Sequence, residues 1–162
     1  MVIERPTTDD VDALVDLWVT LATEQQGHGS HILAEDNKKS VREQLARNVV
    51  TGRAIVAREN SEILGFVTYQ LETGTYDQTV TRGVISNLFV RPSARNGGIG
   101  TALLEAAESG LEDAGADVVA LEALDNNDAG RRFYRRHGYD THRVELEKPL
   151  STENDNHSKE DG

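Results

Sequence analysis

The chain contains no cysteine. Disulfides, thiolate zinc sites and a thiol nucleophile are thereby excluded. Long hydrophobic runs are missing too: no stretch approaches the ~20 apolar residues needed to span a bilayer. The opening "MVIERPTTDD" lacks the basic region and apolar stretch of a signal peptide. These absences lead to the expectation of a soluble, cytoplasmic protein with no membrane partner. Lysine is scarce, confined to positions 38, 39, 148 and 159, and 17 basic against 28 acidic residues leave a net charge of −11. So acidic a surface disfavours non-specific nucleic-acid binding, and no nucleic-acid partner is expected. Excess acid with little lysine also fits a halophilic surface, where salt screens self-repulsion.

What is present fits one domain, 162 residues being enough for a single core without staples. "TTDDVDALVDLWVTLATEQQ" carries a helical apolar stripe of Val11, Leu14, Val15, Trp18, Leu21 and Ala22 behind Thr and Asp caps. "SVREQLARNVVTG" reads as a second helix, with Ser40 and Glu43 spaced as a capping box and Gly52 as its stop. "RAIVARENSEILGFVTYQLE" reads as a hairpin turning at Glu59–Glu62, and "TRGVISNLFVRP" as a third strand closed by Pro92. A glycine loop and a helix ending near Gly115 follow. Then come a short strand "DVVALEAL", a short helix "NDAGRRFYRRHG" and a last strand "YDTHRVELEKPL". The order ααβββαβαβ predicts an α/β (α+β) fold with a mixed, mostly antiparallel central sheet flanked by helices. Residues 1–150 form the expected domain. The tail 151–162, "STENDNHSKEDG", has no apolar residue and is expected to be disordered.

Three glycines at the entrance of a long helix, Gly97, Gly98 and Gly100, need a reason, since glycine costs a helix about 1 kcal/mol relative to alanine. "RNGGIG" is not a P-loop, having no lysine nearby, and not a dinucleotide fingerprint, because Leu103 stands where the third glycine belongs. It does fit R-x-x-G-x-G between a strand and a helix. Bare backbone amides there can approach a pyrophosphate at the positive end of the helix dipole, and Arg95 can add a charge-assisted contact. A tight turn that merely packs closely is the other reading of the loop alone.

A second segment favours the phosphate-binding reading. "LEALDNNDAGRRFYRRHGY" contains E-x4-N-x2-G-x2-F-Y-x3-G-Y, built from Glu122, Asn127, Gly130, Phe133, Tyr134, Gly138 and Tyr139. With both motifs in order, the chain resembles the GCN5-related N-acetyltransferase (GNAT) superfamily over about residues 2 to 148. "NLFVRPSARNGGIGTALL" looks like that family's acetyl-coenzyme A motif and "NDAGRRFYRRHGY" like its N-x-x-A-x-x-h-Y motif, with Gly130 in place of the usual alanine. The resemblance implies an acyl-CoA N-acyltransferase fold with acetyl-CoA as acyl donor and no metal, the cofactor lying between two splayed parallel strands. Leu88, Phe89 and Val90 would bond the pantetheine arm through their backbone. Arg95, Asn96, Gly97, Gly98, Ile99, Gly100 and Thr101 would hold the pyrophosphate, and Asn127 would contact the arm from the other side.

Acetyl transfer from a thioester to an amine needs a neutral amine, a polarised carbonyl and a stabilised leaving thiolate. A carboxylate can take the amine proton, a backbone N–H near Val90 can steady the oxyanion, and a tyrosine can protonate the thiolate. Tyr134 matches the family's acid. The glutamate that many members carry in the central strand is replaced here by Ser86 and Asn87. Glu122, twelve residues before Tyr134, is spaced similarly to the base of ribosomal-protein N-terminal alanine acetyltransferases. The other reading of Glu122 is the polar face of a strand, and Glu24, Glu35, Glu72 and Asp77 are the alternative carboxylates. His28 and His31 read as a substrate-facing loop rather than metal ligands. Arg131, Arg132, Arg135 and Arg136 read mainly as a solvated helix end.

The resemblance therefore implies an N-acetyltransferase acting on a primary amine: a protein N-terminus, a lysine or a small molecule. The family is also consistent with a homodimer. From a different class, the alternative is a non-catalytic acyl-CoA sensor or partner-binding module that kept the cleft.

Overall fold

The structure, a computed structural model, describes residues 1–151, so all but the first residue of the acidic tail lies outside the described residues. Two compact units divide the chain, Met1–Asn127 and the remainder from Asp128.

The first unit holds strands β1 (Val2–Glu4), β2 (Ala54–Glu59), β3 (Glu62–Leu71), β4 (Arg82–Val90) and β5 (Val118–Ala120), with helices α1 (Val11–Gln26), α2 (Lys38–Val50) and α3 (Ile99–Asp113). The sheet runs β1-β2-β3-β4-β5. The first three pairings are antiparallel and the last is parallel. This is the mixed, mostly antiparallel sheet flanked by helices that the sequence predicts. The hairpin closes through Asn60 and Ser61, both with positive φ (50° and 70°), a left-handed pair that matches the twist of the strands they join.

Successive strand residues point to opposite faces. Phe66 joins Leu14, Val15, Leu17 and Leu21 of α1 and Leu45 of α2 in one core cluster. Its neighbour Gly65 backs onto α3, where an added Cβ would lie 3.2 Å from Leu103. Helices therefore cover both faces. The α3 contact is close along its length: a Cβ on Gly83 would sit 2.7 Å from Leu111, and one on Gly110 only 2.5 Å from the Tyr69 hydroxyl oxygen. Truncating a fully buried residue such as Leu45 or Leu103 to alanine costs about 2–5 kcal/mol.

Four expectations are corrected. Strand β1 was not among the predicted elements; its three residues are held by long-range pairing of Val2 with Arg58 and Glu4 with Val56. Helix α2 begins at Lys38 behind Asn37, so Ser40 lies inside the first turn, its hydroxyl on the Asn37 carbonyl (3.2 Å), and forms no capping box. Strand β5 is only three residues long and stops before Glu122. In the second unit, α4 (Asp128–Arg136) ends before Gly138 (φ +91°) as expected, but residues 139–150 form no strand. That segment alternates in the sequence, yet a strand exists only through a partner. Val144 and Leu146 are instead 70% and 88% exposed.

Candidate active site

Strand β4 is paired on both edges only at its start. Arg82, Gly83 and Val84 face Val118, Val119 and Ala120 of β5, and beyond Val84 the β5-side edge of β4 has no partner strand among the described residues. On the other edge β3 continues to Gly65, opposite Val90. The Arg91 N–H donates to the Leu64 carbonyl at 2.8 Å. Antiparallel pairs alternate between bonded and non-bonded positions. In this register Phe89 spends its backbone groups on Phe66. Leu88 and Val90 thus turn their backbone groups to the open edge. Phe89 is committed to β3, and its side chain lies in the core cluster.

The glycine loop follows. Asn96 (φ 66°) and Gly98 (φ 87°) are left-handed, which folds the chain back into α3. The first intrahelical bond runs from Ala102 N–H to the Gly98 carbonyl (3.0 Å), so the helix itself uses neither the Ile99 nor the Gly100 amide. A Cβ on Gly98 would meet nothing within 4 Å, and one on Gly97 only the Ala94 carbonyl at 3.9 Å. The loop therefore presents bare backbone to open space, as a pyrophosphate cradle requires. Ile99 anchors it, its side chain 7% exposed.

Arg95 is already engaged. Its Nε donates to the Val90 carbonyl (2.8 Å), and Nη2 lies 2.9 Å from both carboxylate oxygens of Glu24 at the end of α1. The guanidinium also lies 5.4 Å from the centre of the Phe89 ring. The contact joins residues 71 apart, so nothing local in the sequence announces it.

The remaining carboxylates are dispersed. Glu122 is exposed and lies past the end of β5. Glu35 pairs with Lys38 (3.6 Å) and Glu72 with Arg82 (3.1 Å), while Asp77 is exposed. In β4 Asn87 donates its amide to the hydroxyl of the fully buried Thr68 (2.9 Å). Asn127 closes the first unit, its N–H on the Leu124 carbonyl (3.0 Å).

Within the second unit, Tyr134 packs edge-on against Phe133 and Tyr139, with ring centres 5.4 and 6.0 Å away. Its carbonyl accepts from the N–H groups of His137 and Tyr139. Burial pushes the phenol above its ordinary value, which keeps it protonated at neutral pH. Arg132, Arg135 and Arg136 are exposed.

The model of the acetyltransferase (GNAT) family matches residues 11–139. The chain belongs to that family. It is 33% identical over 87 residues to an uncharacterized N-acetyltransferase, YhfO, of Bacillus subtilis (strain 168). That match covers 53% of this chain, which thus spans little more than half (57%) of the curated relative. Among solved structures, a variant of the BH1408 protein from Bacillus halodurans superimposes with a TM-score of 0.80 at 22% identity, covering 93% of this chain and all of that one. The PaiA N-acetyltransferase of Thermoplasma acidophilum, solved in complex with coenzyme A, gives 0.73 at 19% identity, covering 90% and 94%. At such identities these likenesses establish the fold. Among the described residues no helix is long and apolar enough to cross a membrane.

Proposed function

We propose that this GNAT-family chain transfers an acetyl group from acetyl-CoA to a primary amine by direct attack, with residues 1–150 as the catalytic domain. The observation that carries the reading is the unpaired edge of β4 beyond Val84, with Leu88 and Val90 turned toward it and the glycine loop at its far end. An extended pantetheine arm can bond that edge as a strand would, and the bare amides of the loop suit the pyrophosphate. The PaiA structure with coenzyme A supports the same donor here.

In this reading the Val90 N–H steadies the oxyanion and Tyr134, by its place in the motif, protonates the departing thiolate. Glu122 takes the amine proton, directly or through water. Asn127 contacts the arm. The acceptor is a protein N-terminus, a lysine or a small amine, and an acceptor screen by mass spectrometry over these three classes assigns it. One observation favours a second reading, a non-catalytic acyl-CoA sensor: where many members of the resembled family carry a glutamate this chain has Ser86 and Asn87, and the Asn87 amide is bound to Thr68. Thiol release from acetyl-CoA on mixing with amines separates the two.

A further inference from the structure

We propose that the chain carries a second ligand site, for a small oxyanion, at the end of the sheet opposite the glycine loop. An open surface groove of about 470 Å³ lies there, lined by Gln44, Arg47, Asn48 and Thr51 of the α2 end together with Arg53 and Gln70, most of them exposed. The four helix-side residues are spaced i, i+3, i+4, i+7. They form one polar stripe of α2, while Val41 and Leu45 go into the core. Gln70 stands opposite Val84, about six residues from Val90 along β4, or roughly 20 Å. The site is therefore separate from the cofactor edge.

Its charge is out of keeping with the chain. At a net charge of −11, Arg42, Arg58, Arg82 and Arg95 all have carboxylate partners. Arg47 and Arg53 have none among the described residues, and no carboxylate lines the groove. Arg5 brings a third guanidinium close by: a Cβ on Gly52 would lie 3.4 Å from its Nη1.

The cations are not consumed by the helix end, which closes on itself. The Arg47 carbonyl accepts from the Thr51 N–H (2.9 Å) and hydroxyl (2.7 Å), and the Asn48 carbonyl accepts from the Arg53 N–H (2.7 Å). The lining thus holds two arginines and three side-chain amides, with the Arg53 guanidinium 5.9 Å from the centre of the Tyr69 ring and the Thr51 hydroxyl spent on the helix end. That donor-rich, carboxylate-free set matches a multiply charged oxyanion, a phosphate ester or a polycarboxylate, since both present the planar oxygen pairs that arginine binds bidentately.

The test is calorimetric titration of the cofactor-free, full-length protein with inorganic phosphate, pyrophosphate and citrate at constant ionic strength. Backbone amide shifts are followed by NMR. Saturable binding is expected, with shifts at Asn48, Thr51, Arg53 and Gln70. An Arg47→Gln/Arg53→Gln double variant should lose the shifts at Asn48, Thr51, Arg53 and Gln70 and bind phosphate and citrate at least tenfold more weakly, whereas Gly98→Val, which blocks only the glycine loop, should leave those four shifts as in the wild type. Preference for the phosphates assigns a phosphate ester, and preference for citrate a carboxylate ligand. No saturable response to any of the three overturns the proposal. So do shifts confined to residues 95–101, or unchanged affinity in the double variant.

Discussion

Arg95 and Glu24 face each other with the guanidinium Nη2 2.9 Å from both carboxylate oxygens, tying the glycine loop to the end of α1. The pair is substantially solvent-exposed, so its own stability is worth no more than about 1 kcal/mol. With the pyrophosphate on this loop, as proposed, the pair should matter more for binding, because Glu24 sets a negative charge beside the loop and occupies part of the arginine.

Glu24→Gln should therefore tighten coenzyme A binding about threefold at low salt, the gain fading as ionic strength rises. Arg95→Gln should weaken it about tenfold, equivalent to ~1.4 kcal/mol. Calorimetry on both variants checks this. Equal weakening in both would mean that the pair serves only to hold the loop in shape.

Replacement of Gly98 separates two effects. Valine there meets open space but must adopt φ +87°, a strain of about 1–3 kcal/mol that should lower the melting temperature. Asparagine tolerates that conformation better while still filling the space over the loop. Both variants should bind coenzyme A at least tenfold more weakly, with Gly98→Asn melting closer to the wild type. Unchanged affinity in both would remove the phosphate loop from the account.

Much of this was legible locally. Asn60-Ser61 announced the hairpin, the apolar stripe announced α1, and the glycines marked the turn into α3, because each depends on a few neighbouring residues. What was not legible depends on distant partners. Three-residue β1 exists only through β2, and Arg95 is claimed by a glutamate in another helix. Residues 139–150 alternate like a strand without pairing as one. The backbone roles of Leu88, Phe89 and Val90 looked alike in the sequence. Only the register of β4 on β3 distinguishes Phe89 from the two beside it.

Asp10 gives a pH signature. Burial alone would raise its carboxyl, but the Thr7 N–H and the Arg58 guanidinium outweigh it and hold the group below its ordinary value. A depressed carboxyl contributes stability that is full above its unfolded value of about 3.9 and is lost as pH falls through the folded value. Asp10→Asn should cost about 1–2 kcal/mol near neutrality and progressively less as pH falls below the unfolded carboxyl value of about 3.9. Urea unfolding across that range measures it, and a gap independent of pH would contradict the assignment.

Tyr134→Phe should lower kcat about 10²-fold or more if the phenol protonates the thiolate, with cofactor affinity little changed. Because burial raises this phenol, the alkaline limb of the wild-type rate should lie above the ordinary tyrosine value of about 10. Full kcat in Tyr134→Phe would leave alignment without a side-chain acid.

Glu122→Gln should lower the rate most near neutral pH, where the amine is mainly protonated, and recover part of it as pH rises. A pH–rate profile that matches the wild type would direct the search for the base to Glu72 and Asp77.

The most direct test of the central claim is stoichiometric. The purified chain is mixed with acetyl-CoA and a panel of peptide N-termini, lysine peptides and polyamines. Free coenzyme A thiol and acetylated amine are then quantified together. The account predicts equal amounts of the two with at least one amine class, with both reduced in Gly98→Asn. Tight coenzyme A binding without thiol release on any amine would contradict it and leave a sensor in place of an enzyme.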